Sequence, residues 1–289
     1  MPVHSINLTQ GTLTRVSYVD VTVPPEAIGL STADVGRVSW ARPPWATDDG
    51  VRVGAAIWFA DIAGTRFAFD PVQAADAVLR ADAGTAAFHQ SAIAHLLAES
   101  EFARESVDVL LRTHIEDVGM VAWMNEDGTW SPYFPNARIL VSDQVLREFH
   151  ASSATAEGDA TQDAWRALIA QQRVHSFVDG EQLAPGLAAH VSSGHGAGHT
   201  VFRFGADVAA PEVSFIGHLA VSPLHLATGE CASLNTDPST AWALLQHEAA
   251  RARLLVGPLW PSPGFGRWTE GRVVAGESIC RAQSEPQDG

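Results

Sequence analysis

The sequence predicts a mixed α/β fold, a sandwich of two or four layers. Three observations carry the prediction. Short apolar runs of strand length alternate with stretches of helical spacing in both halves of the chain. Hydrophobic residues make up 46% of the 289 residues, enough for a sizeable core in one large domain spanning 1–289 or in two small ones. Several apolar runs also break directly into polar loops, as strands do at the carboxyl edge of an α/β sheet.

Taken in order, residues 12–23 partly alternate and read as a strand. Residues 24–50 hold four prolines with Trp40 and Trp45 among them. They read either as a flap over a site or as a surface loop with its tryptophans tucked inward. Residues 52–60 and 65–70 make a hairpin pattern around Asp61-Ile62-Ala63-Gly64. Residues 85–99 carry Phe88, Ile93, Leu96 and Leu97 at helical spacing. Residues 107–111 form an apolar run that opens into Arg112, Thr113, His114, Ile115, Glu116 and Asp117. A strand at 138–141 precedes a helix to Phe149 with Ser142 as N-cap. Residues 151–160 read as a linker, and 161–177 as a helix with Trp165, Leu168, Ile169 and Val174 on one stripe. Strands at 187–193 and 200–204 flank a glycine-rich loop holding His195 and His199, and a strand at 213–217 ends at His218. Asp237 and Pro238 open the last long helix, which runs to about residue 254. A strand at 255–257 follows, and residues 279–289 read as a disordered tail.

Composition excludes several classes of function. The net charge is −15, from 18 basic against 33 acidic residues, and every basic residue is an arginine. An acidic surface disfavours nucleic acid and anionic membranes as partners. The absence of lysine excludes Schiff-base chemistry and a P-loop. No apolar run reaches the length of a membrane span, and the first residues lack the pattern of a signal peptide. Cys231 and Cys280 do not make a disulfide framework. The expectation is a cytoplasmic protein with a small-molecule substrate.

Three loops that follow predicted strands carry His114, His195 and His218. Imidazoles on converging loops suit a divalent metal, with Glu116 or Asp117 completing the shell. The glycine loop around His195 is followed by a strand rather than a helix, so it is no phosphate cradle. No G-x-S-x-G elbow supports a serine hydrolase.

The order of motifs carries a resemblance: the histidine loop at 112–117, EDGTWSPYFPNARILVS, GHGAGHT and a late PGFGR. Over residues 50–268 the chain resembles the metallo-β-lactamase fold superfamily, in particular the branch that includes the N-acyl-homoserine lactone lactonases. The resemblance implies a four-layer αββα sandwich with its active site at one edge, between two sheets. It also exposes departures. The family's H-x-H-x-D-H motif falls on Arg112, His114, Glu116 and Asp117, with only His114 kept. The next metal histidine matches His195, the bridging aspartate falls on His218, and the final histidine falls near Leu259.

A binuclear centre is therefore not expected, since Arg112 brings a permanent charge and Leu259 cannot coordinate. Two readings of the remodelled centre stand. One divalent metal (zinc, iron or manganese) is held by His114, His195 and His218 with Asp117 or Glu116. Alternatively no cofactor is bound and the same histidines act as general acid and base, oriented by Glu116 or Asp117. Arg112 then stabilises an oxyanion or pairs with those carboxylates. The resemblance further implies pocket walls from Trp123, Tyr133, Phe134, Trp260 and Phe265. The implied activity is hydrolysis of a lactone or ester, or an elimination or cyclisation in a biosynthetic pathway. The other class of reading is a non-catalytic ligand-binding or scaffold protein.

Overall fold

A computed structural model describes residues 3–71, 91, 93–98, 101–115, 120–152, 160–230 and 235–276. The chain begins with β1 (Val3–Leu8), β2 (Gly11–Val23), α1 (Thr32–Arg37), β3 (Ala46–Thr47), β4 (Gly50–Ile62) and β5 (Thr65–Phe69). It continues through β6 (Val109–Leu111), β7 (Ala122–Met124), β8 (Trp130–Pro132), β9 (Arg138–Ser142), α2 (Asp143–Ser152), α3 (Ala160–Ala170) and β10 (Val174–Phe177). The second half lays down β11 (Gln182–Ala184), β12 (Leu187–Ser192), β13 (His199–Phe204) and β14 (Val213–Phe215). It closes with α4 (Leu224–Thr228), α5 (Pro238–Arg251), β15 (Leu254–Val256), β16 (Phe265–Thr269) and β17 (Arg272–Ala275).

Two large sheets result. The first has the order β1-β2-β4-β5-β6-β9-β10 with β3 on β4; the second runs β11 to β17 in sequence order. Their short central strands alternate between two cores, as the two-residue period of a strand requires. In β6, Val109 and Leu111 point between the sheets, where they join Phe69, Phe202, Phe215 and Val256. Leu110 points the other way, into a core closed by Phe149 of α2 and by Trp165 and Leu168 of α3. In β15, Leu254 and Val256 face the first sheet, while Leu255 meets Leu244 and Leu245 of α5. Three cores between four layers make an αββα sandwich. Among the described residues no helix is long and apolar enough to cross a membrane.

Local chemistry explains most boundaries. The β4–β5 hairpin turns on Ala63 and Gly64, both with positive φ (53° and 81°), the geometry that matches strand twist. Ser142 caps α2 by accepting from the Val145 amide at 3.1 Å. Pro238 opens α5 behind Asp237, which accepts from the Thr240 amide at 3.1 Å.

The helix predicted over 161–177 is corrected. It stops at Ala170, Gln172 turns left-handed (φ 57°), and Val174–Phe177 becomes β10, parallel to β9. The β-branched and aromatic residues of that segment gain more from sheet pairing than from a helical stripe. The helix expected at 85–99 is described only at 91 and 93–98, which are helical. The linker expected at 151–160 is corrected at its ends, where Ala151 and Ser152 close α2 and Ala160 opens α3; residues 153–159 and the C-terminal tail lie outside the described residues. In the 24–50 segment Trp45 is fully buried against Trp260, with ring centroids 5.9 Å apart. Trp40 donates its indole N–H to the Gly271 carbonyl at 3.1 Å.

Candidate metal centre

Several strand ends meet at one edge of the sandwich. β5 leads into Asp70, and β6 runs into Arg112, Thr113 and His114. The turn between β12 and β13 carries His195 and ends at His199, and β14 leads into Gly217 and His218. His114, His195 and His218 are all buried, and their ligand atoms lie within 4.8 Å of one another. Among the described residues this is the one group of three or more histidine, cysteine or acidic side chains close enough to share a metal ion. His199, also buried, adds a fourth ring, 5.1 Å from His195 and 5.6 Å from His114 between centroids.

Hydrogen bonds fix which nitrogen each imidazole offers. The Thr113 hydroxyl donates to Asp70 Oδ2 at 2.5 Å, because an ionised carboxylate only accepts. Its oxygen therefore accepts from His114 Nδ1–H at 2.8 Å. On the other side, Asn235 Nδ2 donates to the Leu219 carbonyl at 3.3 Å, which turns its Oδ1 toward His195. That oxygen accepts from His195 Nδ1–H at 2.9 Å. In its neutral form each ring therefore carries its lone pair on Nε2, and those two Nε2 atoms are 3.3 Å apart. Two lone pairs facing at that distance repel unless a positive species lies between them, either a metal ion or a proton.

Beneath the histidines lies a buried ion pair. Arg112, only 2% exposed, places Nε 3.4 Å from Asp70 Oδ1 and donates from Nη1 to the Pro71 carbonyl at 3.3 Å. Burial alone would push the Asp70 carboxyl up. The Arg112 guanidinium, with His114, His218 and the Thr113 hydroxyl, outweighs burial and holds it below the usual carboxylate range. Asp70 adopts φ 40°, a left-handed conformation that aspartate tolerates better than most side chains. Two glycines admit the close approaches. A Cβ at Gly217 (φ 56°) would meet His199 Nε2 at 2.5 Å and the Thr113 side chain at 3.0 Å. One at Gly198 (φ 74°) would meet the Val145 amide at 2.5 Å, where Ser142 already donates to the Gly198 carbonyl at 2.7 Å.

The structure thus brings together His114, His195 and His218, with Arg112 beneath them. The sequence pointed to Glu116 or Asp117 as partners of Arg112. Both lie outside the described residues, and its described partner is Asp70. Asp70, Asn235 and His199 join the site without having been singled out as site residues. Asp70 had a signal, a carboxylate at the end of a predicted strand next to the histidine strand. Asn235 had none.

A cavity of about 270 Å³ opens beside His114 and His195, walled by Ile115, Val145 and Phe149, with Glu148 and Ser152 also lining it. The aromatic residues expected to line the pocket are placed elsewhere. Tyr133 and Phe134 are buried in the core under α2 and α3, with Trp123 packed against it. The Arg104 guanidinium lies over the Trp123 and Tyr133 rings. Trp260 fills the core under α5, donating to the Ala220 carbonyl at 2.9 Å, and Phe265 lies between the sheets against Trp58. Large rings pack where three cores need volume.

No family model and no curated protein matches the sequence. Solved structures do match. The hydrolase AbOPH of the β-lactamase superfamily superposes with a TM-score of 0.69 at 18% identity, over 94% of this chain and 95% of its own. AidC, a dizinc quorum-quenching lactonase in complex with the product N-hexanoyl-L-homoserine, superposes at 0.67 with 15% identity, over 94% and 97%. A probable metal-dependent hydrolase from Staphylococcus aureus superposes at 0.66 with 13% identity, over 93% and 97%. The chain has the metallo-β-lactamase fold.

In this metallo-β-lactamase fold the three buried histidines could hold one divalent ion. A tetrahedral zinc with nitrogen ligands at 2.0–2.1 Å separates them by about 3.3 Å. The His114–His195 Nε2 separation of 3.3 Å matches that edge. Arg112 is committed to Asp70, and Leu259, which offers no ligand atom, packs against the core beneath α5.

Proposed function

We propose that this protein is a hydrolase that uses one divalent metal, held by His114, His195 and His218, to act on a small ester or lactone. The observation that carries the proposal is the pair of Nε2 lone pairs facing across 3.3 Å, each fixed by its own hydrogen-bonded partner. Three protein ligands beside an open cavity are the pattern of a catalytic site; structural sites close with a fourth ligand. An ion bound there would supply Lewis acidity and activate water near neutral pH.

The chain's own residues do the rest. Thr113 and Asn235 hold His114 and His195 as lone-pair donors, so neither ring must reorient. Ile115, Val145 and Phe149 offer apolar walls to the acyl part of a substrate. Arg112 and Asp70 neutralise each other below the site, leaving its three imidazoles to face the cation. Lactone and ester hydrolysis is favoured as the chemistry because AidC, which shares the fold, is a lactonase.

The metal-free reading rests on the same contact. One proton shared between His114 and His195 would also bridge two Nε2 atoms 3.3 Å apart, and the pair would then work as acid and base. Activity separates the two. Hydrolysis of a panel of acyl-homoserine lactones and aryl esters is expected to disappear on chelation and to return with zinc or manganese. His195→Ala is expected to lose at least about a hundredfold in kcat/KM. Full turnover in protein shown to be metal-free would refute the metal-dependent reading.

A further inference from the structure

We infer that Asn235 is the positioning residue that holds His195 with its Nε2 lone pair turned toward the other histidines. The inference builds on the site proposed above, but its core concerns the imidazole itself. Asn235 is buried, 8% exposed, just before α5. Its amide makes two bonds that leave no freedom in its orientation. Nδ2 can only donate, and it meets the Leu219 carbonyl, which can only accept. Oδ1 must then face His195, and it receives Nδ1–H. The backbone around it is tied to the same loop. The Thr236 amide donates to the His195 carbonyl at 3.1 Å and the Asp237 amide to the Gly194 carbonyl at 3.0 Å. A Cβ at Gly194 would meet the Ala241 amide at 2.5 Å, so the histidine loop lies directly on the first turn of α5. Asn235 therefore links two loops of the site, since Leu219 directly follows His218. An outer partner that fixes tautomer and ring angle contributes to affinity without touching the ion.

Two measurements on the full chain test this. In metal-free protein with ¹⁵N-labelled histidine, long-range ¹H–¹⁵N correlation at alkaline pH should show His195 protonated at Nδ1. In Asn235→Ala the proton should move, wholly or in part, to Nε2. A wild-type His195 protonated at Nε2, or an unchanged tautomer in Asn235→Ala, would overturn the inference. In the second measurement zinc affinity is read by chelator competition. Asn235→Ala should bind about 10–100-fold more weakly, whereas Asn235→Asp, which keeps an acceptor for Nδ1–H, should stay within about threefold of wild type. Asn235→Asp also sets a carboxylate oxygen against the Leu219 carbonyl, so it should melt lower than wild type while still binding. Equal weakening in both variants would reduce Asn235 to a loop tie and overturn its orienting role. If wild-type protein takes up no zinc, the metal reading fails, and the tautomer result still decides the role of Asn235.

Discussion

At the residue scale, the pair of Arg112 and Asp70 shows how the site is supported. Both side chains are almost fully inaccessible, so removing either one takes an ion-pair partner from a buried charge. Asp70→Ala is expected to destabilise the fold by about 3–5 kcal/mol in urea titrations, because it removes a buried carboxylate from beside the guanidinium. Adding Arg112→Met to that variant should recover part of the loss; a double variant less stable than the single one would show that the pair is not coupled. The ionisable cluster after β6 was readable as a cluster, and so was the carboxylate at the end of β5. Their pairing was not, because it depends on parallel strands that set Phe69 beside Leu111. The same holds for Asn235, which has no motif of its own and meets His195 only once α5 docks on the glycine loop.

At the scale of elements, caps and turns were the most readable features, since their chemistry is local. Ser142, the turn at Ala63 and Gly64, and the Asp237-Pro238 helix start are all found where side-chain chemistry predicts them. Asp237 gives a pH prediction. Its carboxyl is held down to about 2 by hydrogen bonds from the Thr240 side chain and amide and from Ser239. A carboxyl lowered on folding stabilises the protein above its unfolded value of 3.8 and loses that contribution as pH falls through about 2. Between about pH 5 and about pH 2, wild type should therefore lose more melting temperature than Asp237→Asn, which keeps a cap but has no charge to titrate. Parallel decline of the two melting curves would contradict the assignment. Three-residue strands such as β7, β8 and β11 carry too little pattern to announce themselves. Residues 174–177 misled because Val174 keeps the apolar spacing of α3, although the left-handed Gln172 has already ended that helix.

At the scale of the whole molecule, the two periods of apolar residues gave a sandwich of two or four layers, and the four-layer αββα order came from the motif resemblance. What composition could not separate was wall from core. Trp260, Tyr133, Phe134 and Phe265 are the kind of residue that lines a pocket, but three cores required them as filling. The histidines were easier to place, because each follows a strand that the fold delivers to one edge. The net charge of −15 leaves the site as a local concentration of nitrogen donors on an acidic chain, suited to drawing in a divalent cation. The central claim is that His114, His195 and His218 together hold one such ion. Elemental analysis of protein purified in the presence of zinc and manganese, then desalted, tests it most directly. The account predicts one equivalent of metal per chain, lost in His114→Ala; no metal in wild type, or one equivalent unchanged in that variant, would contradict it.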